Sequence, residues 1–230
     1  MPTFHPSLLP HHTTFFLSTP LFFTATAPSN GHHINLSPKG LPRTSLAVLS
    51  PNQVAYLDHT GSGCETIAHI YDNGRVTLMA CSFGASPKIM RLFCRGRVVE
   101  KTGNEGEFGE WVQRMRKAGL GRGEGGGEME FDWKKETESV RAVVLLDVWK
   151  VQTSCGYGVP VINDNTNNNP KLETSISEPG GKVLLEYQTA NNSRSLDGCP
   201  GLKSARRAGG EWVRMKDAVR MVKRAMGRLS

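Results

Sequence analysis

No Asp or Glu occurs between Met1 and Lys39, and Lys39 is the only Lys or Arg in that stretch. The formal net charge of +7 comes largely from the other end, where residues 201–230 hold nine Lys/Arg against Glu211 and Asp217. Such a balance permits a phosphate-bearing ligand or a nucleic acid and indicates neither. No run reaches about 18 apolar residues, which excludes a membrane-spanning helix. Cysteine is scarce: the five residues Cys64, Cys81, Cys94, Cys155 and Cys199 include no C-x-x-C pair, and their number is odd. A zinc site or a disulfide framework is not expected, and reduced thiols in the cytoplasm, or in the nucleus, fit better. Residues 13–27 are apolar enough to imitate a signal peptide, but no Lys or Arg precedes them and Pro20 interrupts them, so they read as structure. Nucleophile elbow, Walker loop, dinucleotide fingerprint and internal repeat are all missing.

What is present reads as strands and turns. The 230 residues suit one domain with tails, and 25 Gly with 13 Pro disfavour a helical bundle. Residues 21–27 form a bulky, partly β-branched strand closed by Pro28-Ser-Asn-Gly31, and residues 33–37 pair back onto it until Pro38 and Gly40 end the hairpin. Residues 46–49 and 53–58 flank a tight turn at Ser50-Pro-Asn52. A helix is expected over 64–71, stopped at Asn73-Gly74, and further strands over 76–80, 89–100 and 141–152. Within 89–100, Met90, Leu92, Cys94, Gly96 and Val98 share one face, while Arg91, Phe93, Arg95 and Arg97 share the other. Residues 108–118 place Phe108, Trp111, Val112 and Met115 at helical spacing, ahead of a Gly-rich loop over 119–127. Residues 163–169 read as an exposed loop. Residues 210–228 read as a basic amphipathic helix with Trp212, Met215, Val219, Val222 and Met226 in its apolar stripe. About six strands without regular βαβ alternation point to a small barrel or sandwich.

Three loops stand out chemically. Lys39, beside Gly40 in an acid-free region, can point a charge at a phosphate or be a solvated turn residue. Asp58-His59-Thr60-Gly61-Ser62-Gly63 precedes a helix, where unpaired amides favour an anion or a simple cap. Glu65, in the first turn, would disfavour a bound phosphate there. Thr153-Ser154-Cys155-Gly156-Tyr157-Gly158-Val159-Pro160 follows a strand directly, and its glycines suggest close packing.

The ordered set Phe22-Phe-Thr-Ala-Thr-Ala-Pro28, Gly31-His-His-Ile-Asn-Leu-Ser-Pro-Lys-Gly40, Val54-Ala-Tyr-Leu-Asp58, Thr60-Gly-Ser-Gly63, Glu65-Thr-Ile-Ala-His69 and Gly74-Arg-Val-Thr-Leu-Met79 resembles the pyridoxamine 5′-phosphate oxidase-like family. Within it, the likeness is to an uncharacterised fungal and bacterial branch. Arg91–Val99, Val151–Pro160 and Asn192–Gly198 fit the same branch, so the resemblance spans roughly residues 15–202.

The resemblance implies a six-stranded antiparallel Greek-key split barrel that binds FMN, with short helices and usually a homodimer with flavin sites at the subunit interface. It implies segments 1–14 (N-terminal), 15–160 (barrel), 161–202 (loop-rich extension) and 203–230 (basic helical tail). It implies an FMN-dependent oxidoreductase of unknown substrate, a small molecule, with Lys39, Thr60, Gly61, Ser62, Thr66, Ser154, Cys155 and Tyr157 about the cofactor. Lys39 matches a phosphate ligand of the family. The family's Arg position falls at Leu36 or Ser37, and a further basic position falls near Gly63. These departures point away from vitamin B6 oxidation and favour, as the alternative, a non-catalytic split-barrel binding protein. Nucleic acid is not an expected partner. The tail helix is expected to pack on the barrel or across a dimer.

Overall fold

The computed structural model describes residues 2–84, 86–122, 137–156, 158–160, 186, 189–190, 193 and 203–211. Tyr157, Cys199, the loop at 163–169 and the apolar stripe of the tail lie outside them. The chain divides into two compact units, Met1–Ser175 and Ile176–Ser230.

The first unit is built on eight antiparallel strands: β1 (Thr3–His5), β2 (Leu21–Thr26), β3 (Asn35–Gly40), β4 (Leu46–Ser50), β5 (Gln53–His59), β6 (Arg75–Cys81), β7 (Lys88–Glu100) and β8 (Val140–Cys155). Four helices accompany them among the described residues: α1 (Pro10–Ser18), α2 (Pro42–Ser45), α3 (Glu65–Asn73) and α4 (Glu105–Lys117). The sheet runs β3-β2-β6-β7-β8-β5-β4, and β1 also pairs with β8. It is the split-barrel class expected, with eight strands rather than six.

The alternation in residues 89–100 is observed. Met90, Leu92 and Cys94 are buried, and Arg95 and Arg97 are exposed. One departure is instructive. The strand expected to stop at Pro38 continues to Gly40, with Pro38 opposite Phe23. Proline cannot donate to a ladder, but β3 is the edge of the sheet, where its missing N–H costs no pairing.

β8 is the spine. Residues 142–155 of it pair with β7, while its other side takes β5 along 140–147 and β1 along 151–153. Asn52, in the expected turn, fills the gap between those partners by donating to the carbonyls of Pro6 and Val148, each at 2.9 Å.

Two apolar layers result. Inside the curl, Phe22, Tyr56, Leu78, Met90, Leu92 and Leu146 pack with Phe16 of α1 and Ile70 of α3. Outside, α4 lays Phe108 and Met115 on Leu57, Val99, Val143 and Leu145. Residues 143–146 of β8 are therefore buried on both faces, and Asp147 and Trp149 emerge beyond the cover of α4. In the second unit, the described residues include α5 (Lys203–Ala208), followed by Gly209-Gly210 and an Arg206–Glu211 ion pair at 2.8 Å.

Candidate functional site

β3 turns Asn35, Ser37 and Lys39 to one face, because side chains alternate along a strand. That row meets the start of α3 and the end of β5. Asn35 Nδ2 donates to Thr66 Oγ1 at 2.9 Å and to Thr26 Oγ1 at 3.1 Å, and Ser37 Oγ donates to Asn35 Oδ1 at 2.9 Å. Thr26 Oγ1 also lies 2.9 Å from His69 Nδ1, which ties α3 to the same network.

At the other end of the row, Lys39 Nζ donates to Asp58 Oδ1 at 3.2 Å. The second carboxylate oxygen accepts from Arg141 Nε at 2.8 Å, and Arg141 Nη2 donates to the Gly63 carbonyl at 2.8 Å. Asp58 has no exposed side-chain surface, so two cations compensate one buried carboxylate. Tyr56 lies beneath, its ring 6.0 Å from Lys39 Nζ. Burial pushes its phenol far up, and the Asp58 charge adds to that; the Thr24 hydroxyl and Arg141 act the other way.

Beside Lys39 a cleft of about 370 Å³ opens between β3, α2 and β5, lined among others by Leu41, Thr44 and His59. Leu41 adopts φ +38, an uncommon conformation for a non-glycine residue, at the cleft wall.

The structure puts Lys39 on the same face of β3 as Asn35, which holds Thr66, in two separate hydrogen-bonded sets, and the Lys39 set reaches the Thr60–Gly63 loop through Arg141. Gly61 and Ser62 are exposed. The Thr60 amide donates to the Ser139 carbonyl at 2.7 Å and is not available to a ligand, although its side chain faces solvent. Neither Thr60 nor Ser62 caps α3: its N-cap is Cys64, without a side-chain bond. Thr66 is buried, its hydroxyl engaged with Asn35. Glu65 folds back so that its carboxylate fills the space a side chain at Gly63 would take. A carboxylate thus occupies the place where the resemblance put a basic residue.

Ser154 and Cys155 stand elsewhere. They line a separate cleft of about 310 Å³ with Thr3, Pro87 and Lys88. Arg141 and Ser154 lie near opposite ends of β8. At about 3.3 Å per residue, that separation is about 43 Å along the strand's path. Gly156 behaves as its sequence suggested, since a Cβ there would lie 2.6 Å from the Pro87 carbonyl carbon.

Arg141 was not expected at this site, and Asp58 opened the candidate loop at 58–63 without an assigned role. One signal for Asp58 was present: it is the first acidic residue of the chain, and Lys39 is the first basic one.

An antiparallel split barrel with a polar row on its edge strand, beside a short glycine loop and a helix start, defines the class of protein. The chain is 47% identical over 225 residues to the pyridoxamine 5′-phosphate oxidase family protein ustO of Aspergillus flavus, covering 93% of this chain and 83% of that protein. It belongs to the pyridoxamine 5′-phosphate oxidase family. No family model matches the sequence. Among solved structures, a putative pyridoxamine 5′-phosphate oxidase from Lactobacillus delbrueckii is similar with a TM-score of 0.43 and 20% identity, over 64% of this chain and 94% of that one. An FMN-binding protein from Syntrophomonas wolfei gives 0.39 and 13%, over 61% and 79%. Among the described residues, no helix is long and apolar enough to cross a membrane.

Proposed function

We propose that this protein binds FMN and serves as an oxidoreductase acting on a small molecule, with the phosphate held at the Lys39 end of the site. Family membership supports the flavin. The observation that carries the placement is the donor set around Lys39. Its ammonium spends one of three N–H donors among the described residues, on Asp58, and the side chain stays a quarter exposed. Ser62 and the Thr60 side chain face solvent on the adjoining loop. Such donors fit phosphate oxygens.

Bound FMN would supply the redox chemistry, and this chain's residues bind and orient it. Lys39 takes the phosphate, the Thr60–Ser62 loop borders it, and Thr66 fixes β3 against α3 through Asn35. Ser154 and Cys155 line a cleft separate from the one beside Lys39. In this reading they line the ring end from a second copy, with Tyr157.

A homodimer is further supported by the outer sheet face. Leu36, Ala25, Thr77, Phe93 and Lys150 are successive cross-strand partners on it. Leu36 is 61% exposed, and Trp149, beside Phe93, is 55% exposed. No described element covers this row, and an exposed apolar patch of this kind marks an interaction surface.

One observation favours the non-catalytic alternative: the Lys39 and Arg141 charges are matched by Asp58 and Glu65, so the site has no excess positive charge. The test is the absorption spectrum of the purified protein with and without added FMN. A retained flavin band that Lys39→Ala abolishes is the expected result. A colourless protein that does not hold FMN at high concentration refutes the flavin reading.

A further inference from the structure

Resting on the flavin-phosphate reading of the Lys39 end, we propose that Arg141 is a second cationic ligand of the phosphate, and that Asp58 is the positioning residue that holds Lys39 and Arg141 as a pair. The argument begins with depth. Asp58 is wholly buried, whereas the side chains of Lys39 and Arg141 keep 25% and 28% of their exposure. A ligand arriving from solvent meets the two cations rather than Asp58 beneath them, with the exposed Glu65 carboxylate bordering them at Gly63.

Donor arithmetic comes next. A guanidinium carries five N–H donors in a fixed plane. Arg141 spends one on Asp58 and one on the Gly63 carbonyl, and among the described residues the other three are unused. Both bonds fix its plane, and the second ties it to the loop that carries Gly61 and Ser62. Two long side chains already anchored lose less freedom when an anion binds, which raises affinity by preorganisation.

Charge alone argues for the opposite behaviour. Replacing Asp58 by Asn makes the site more positive by one unit, and simple electrostatics then tightens anion binding. Positioning predicts that the same change weakens it. The sign of the effect separates the two.

The experiment titrates the full chain and its R141M, R141K and D58N variants with FMN, with riboflavin and with inorganic phosphate. Flavin fluorescence reads the first two and calorimetry the third. Riboflavin has the same ring and no phosphate, so it reports an intact ring site. The R141M variant is expected to weaken FMN roughly 10- to 100-fold and leave riboflavin unchanged. The R141K variant keeps the charge but not the fork, and is expected to restore only part of that loss. For D58N, FMN should bind several-fold more weakly at constant riboflavin affinity.

Equal FMN affinity in the wild type and R141M overturns the ligand role of Arg141 and keeps the flavin reading. Tighter FMN binding by D58N overturns the positioning role. Where D58N does not fold, R141K decides: full wild-type affinity overturns positioning. Phosphate binding that depends on Arg141, without any flavin binding, supports the proposal and overturns the flavin reading. Binding of neither FMN nor phosphate overturns both.

Discussion

Lys39 Nζ stands 3.2 Å from Asp58 Oδ1, joining the edge strand β3 to β5 at the far side of the same sheet. The two strands share no backbone pairing, so this ion pair, with the α2 connection, helps draw the curl together. Removing one partner of a buried pair leaves the other charge uncompensated. Asp58→Ala, which strands two cations around a buried void, is expected to cost about 3–5 kcal/mol. Lys39→Met leaves Asp58 bonded to Arg141, and Lys39 is partly solvated, so its cost should be smaller, about 1–2 kcal/mol. Urea unfolding of both variants checks the order. Lys39→Met as damaging as Asp58→Ala would show that Arg141 does not sustain the carboxylate.

A second prediction concerns the contact between α3 and β7. Gly96 leaves room for Ile70 and Val76. A Cβ there would lie 3.0 Å from Ile70 Cδ1, Ile70 Cγ1 and Val76 Cγ2. Its N–H also donates to the Gly74 carbonyl at 2.8 Å, where the chain leaves α3. Gly96→Ala is therefore expected to overpack the core and destabilise by about 1–3 kcal/mol. A thermal melt identical to wild type would mean that α3 shifts freely on the sheet.

How much of this could be read from the linear chain differs between elements. β7 was legible because over residues 89–97 only one of its faces is buried, so those residues alternate, whereas Val99 goes under α4. The first half of β8 is apolar on both faces, and alternation could not show which face α4 would cover. β1 and α1 were not legible at all. α1 begins Pro10-His-His-Thr-Thr, with no periodic apolar stripe, and its cap is unusual: His12 Nδ1 accepts from the Leu9 N–H at 3.2 Å. The sequence marked Lys39 and the Thr60–Gly63 loop as chemically unusual. It could not show Asp58 and Arg141 meeting across 83 residues, because that meeting depends on β5 pairing with β8. Nor could it show that Ser154 and Lys39 line different clefts, since loops carry no coordinates until strand lengths and partners are fixed.

Thiol chemistry gives a third prediction. Cys64 and Cys155 are exposed, whereas Cys81 and Cys94 are buried. Burial pushes the Cys94 thiol up, and the nearby Asp147 charge adds to it. Cys81 is also raised by burial, with Arg91 opposing. A thiol reagent at neutral pH should therefore modify Cys64 and Cys155 in the native protein and reach Cys81 and Cys94 only in denaturant. Peptide mapping after labelling reads this directly. Native labelling of Cys94 would contradict the packing of β7 inside the barrel. If a second copy covers the Ser154–Cys155 cleft, Cys155 should also be slower than Cys64, and dilution should speed it.

The last prediction concerns acid. His12 is buried on α1, its ring 4.7 Å from His5 and 4.2 Å from His11. Burial, then the charges of His11, His5 and Lys88, push its pKa down from 6.5 to about 4. The unfolded chain takes up a proton at this residue near pH 6.5, while the folded chain resists until about pH 4. The stabilising contribution of neutral His12 is therefore complete above about pH 6.5 and declines as the pH falls toward 4. Protonation also removes the acceptor that the Leu9 N–H uses, since both nitrogens of imidazolium are donors. α1 carries Phe16, which closes the inner core over Phe22 at a ring separation of 5.7 Å. Protection factors for amide exchange across residues 8–19, corrected for the intrinsic pH dependence of exchange, should thus fall between pH 6.5 and 4, ahead of those in β7. His12→Gln keeps a side-chain acceptor without titrating near neutral pH, and it should flatten that dependence. The same acid slope in wild type and His12→Gln would place the sensitive group elsewhere.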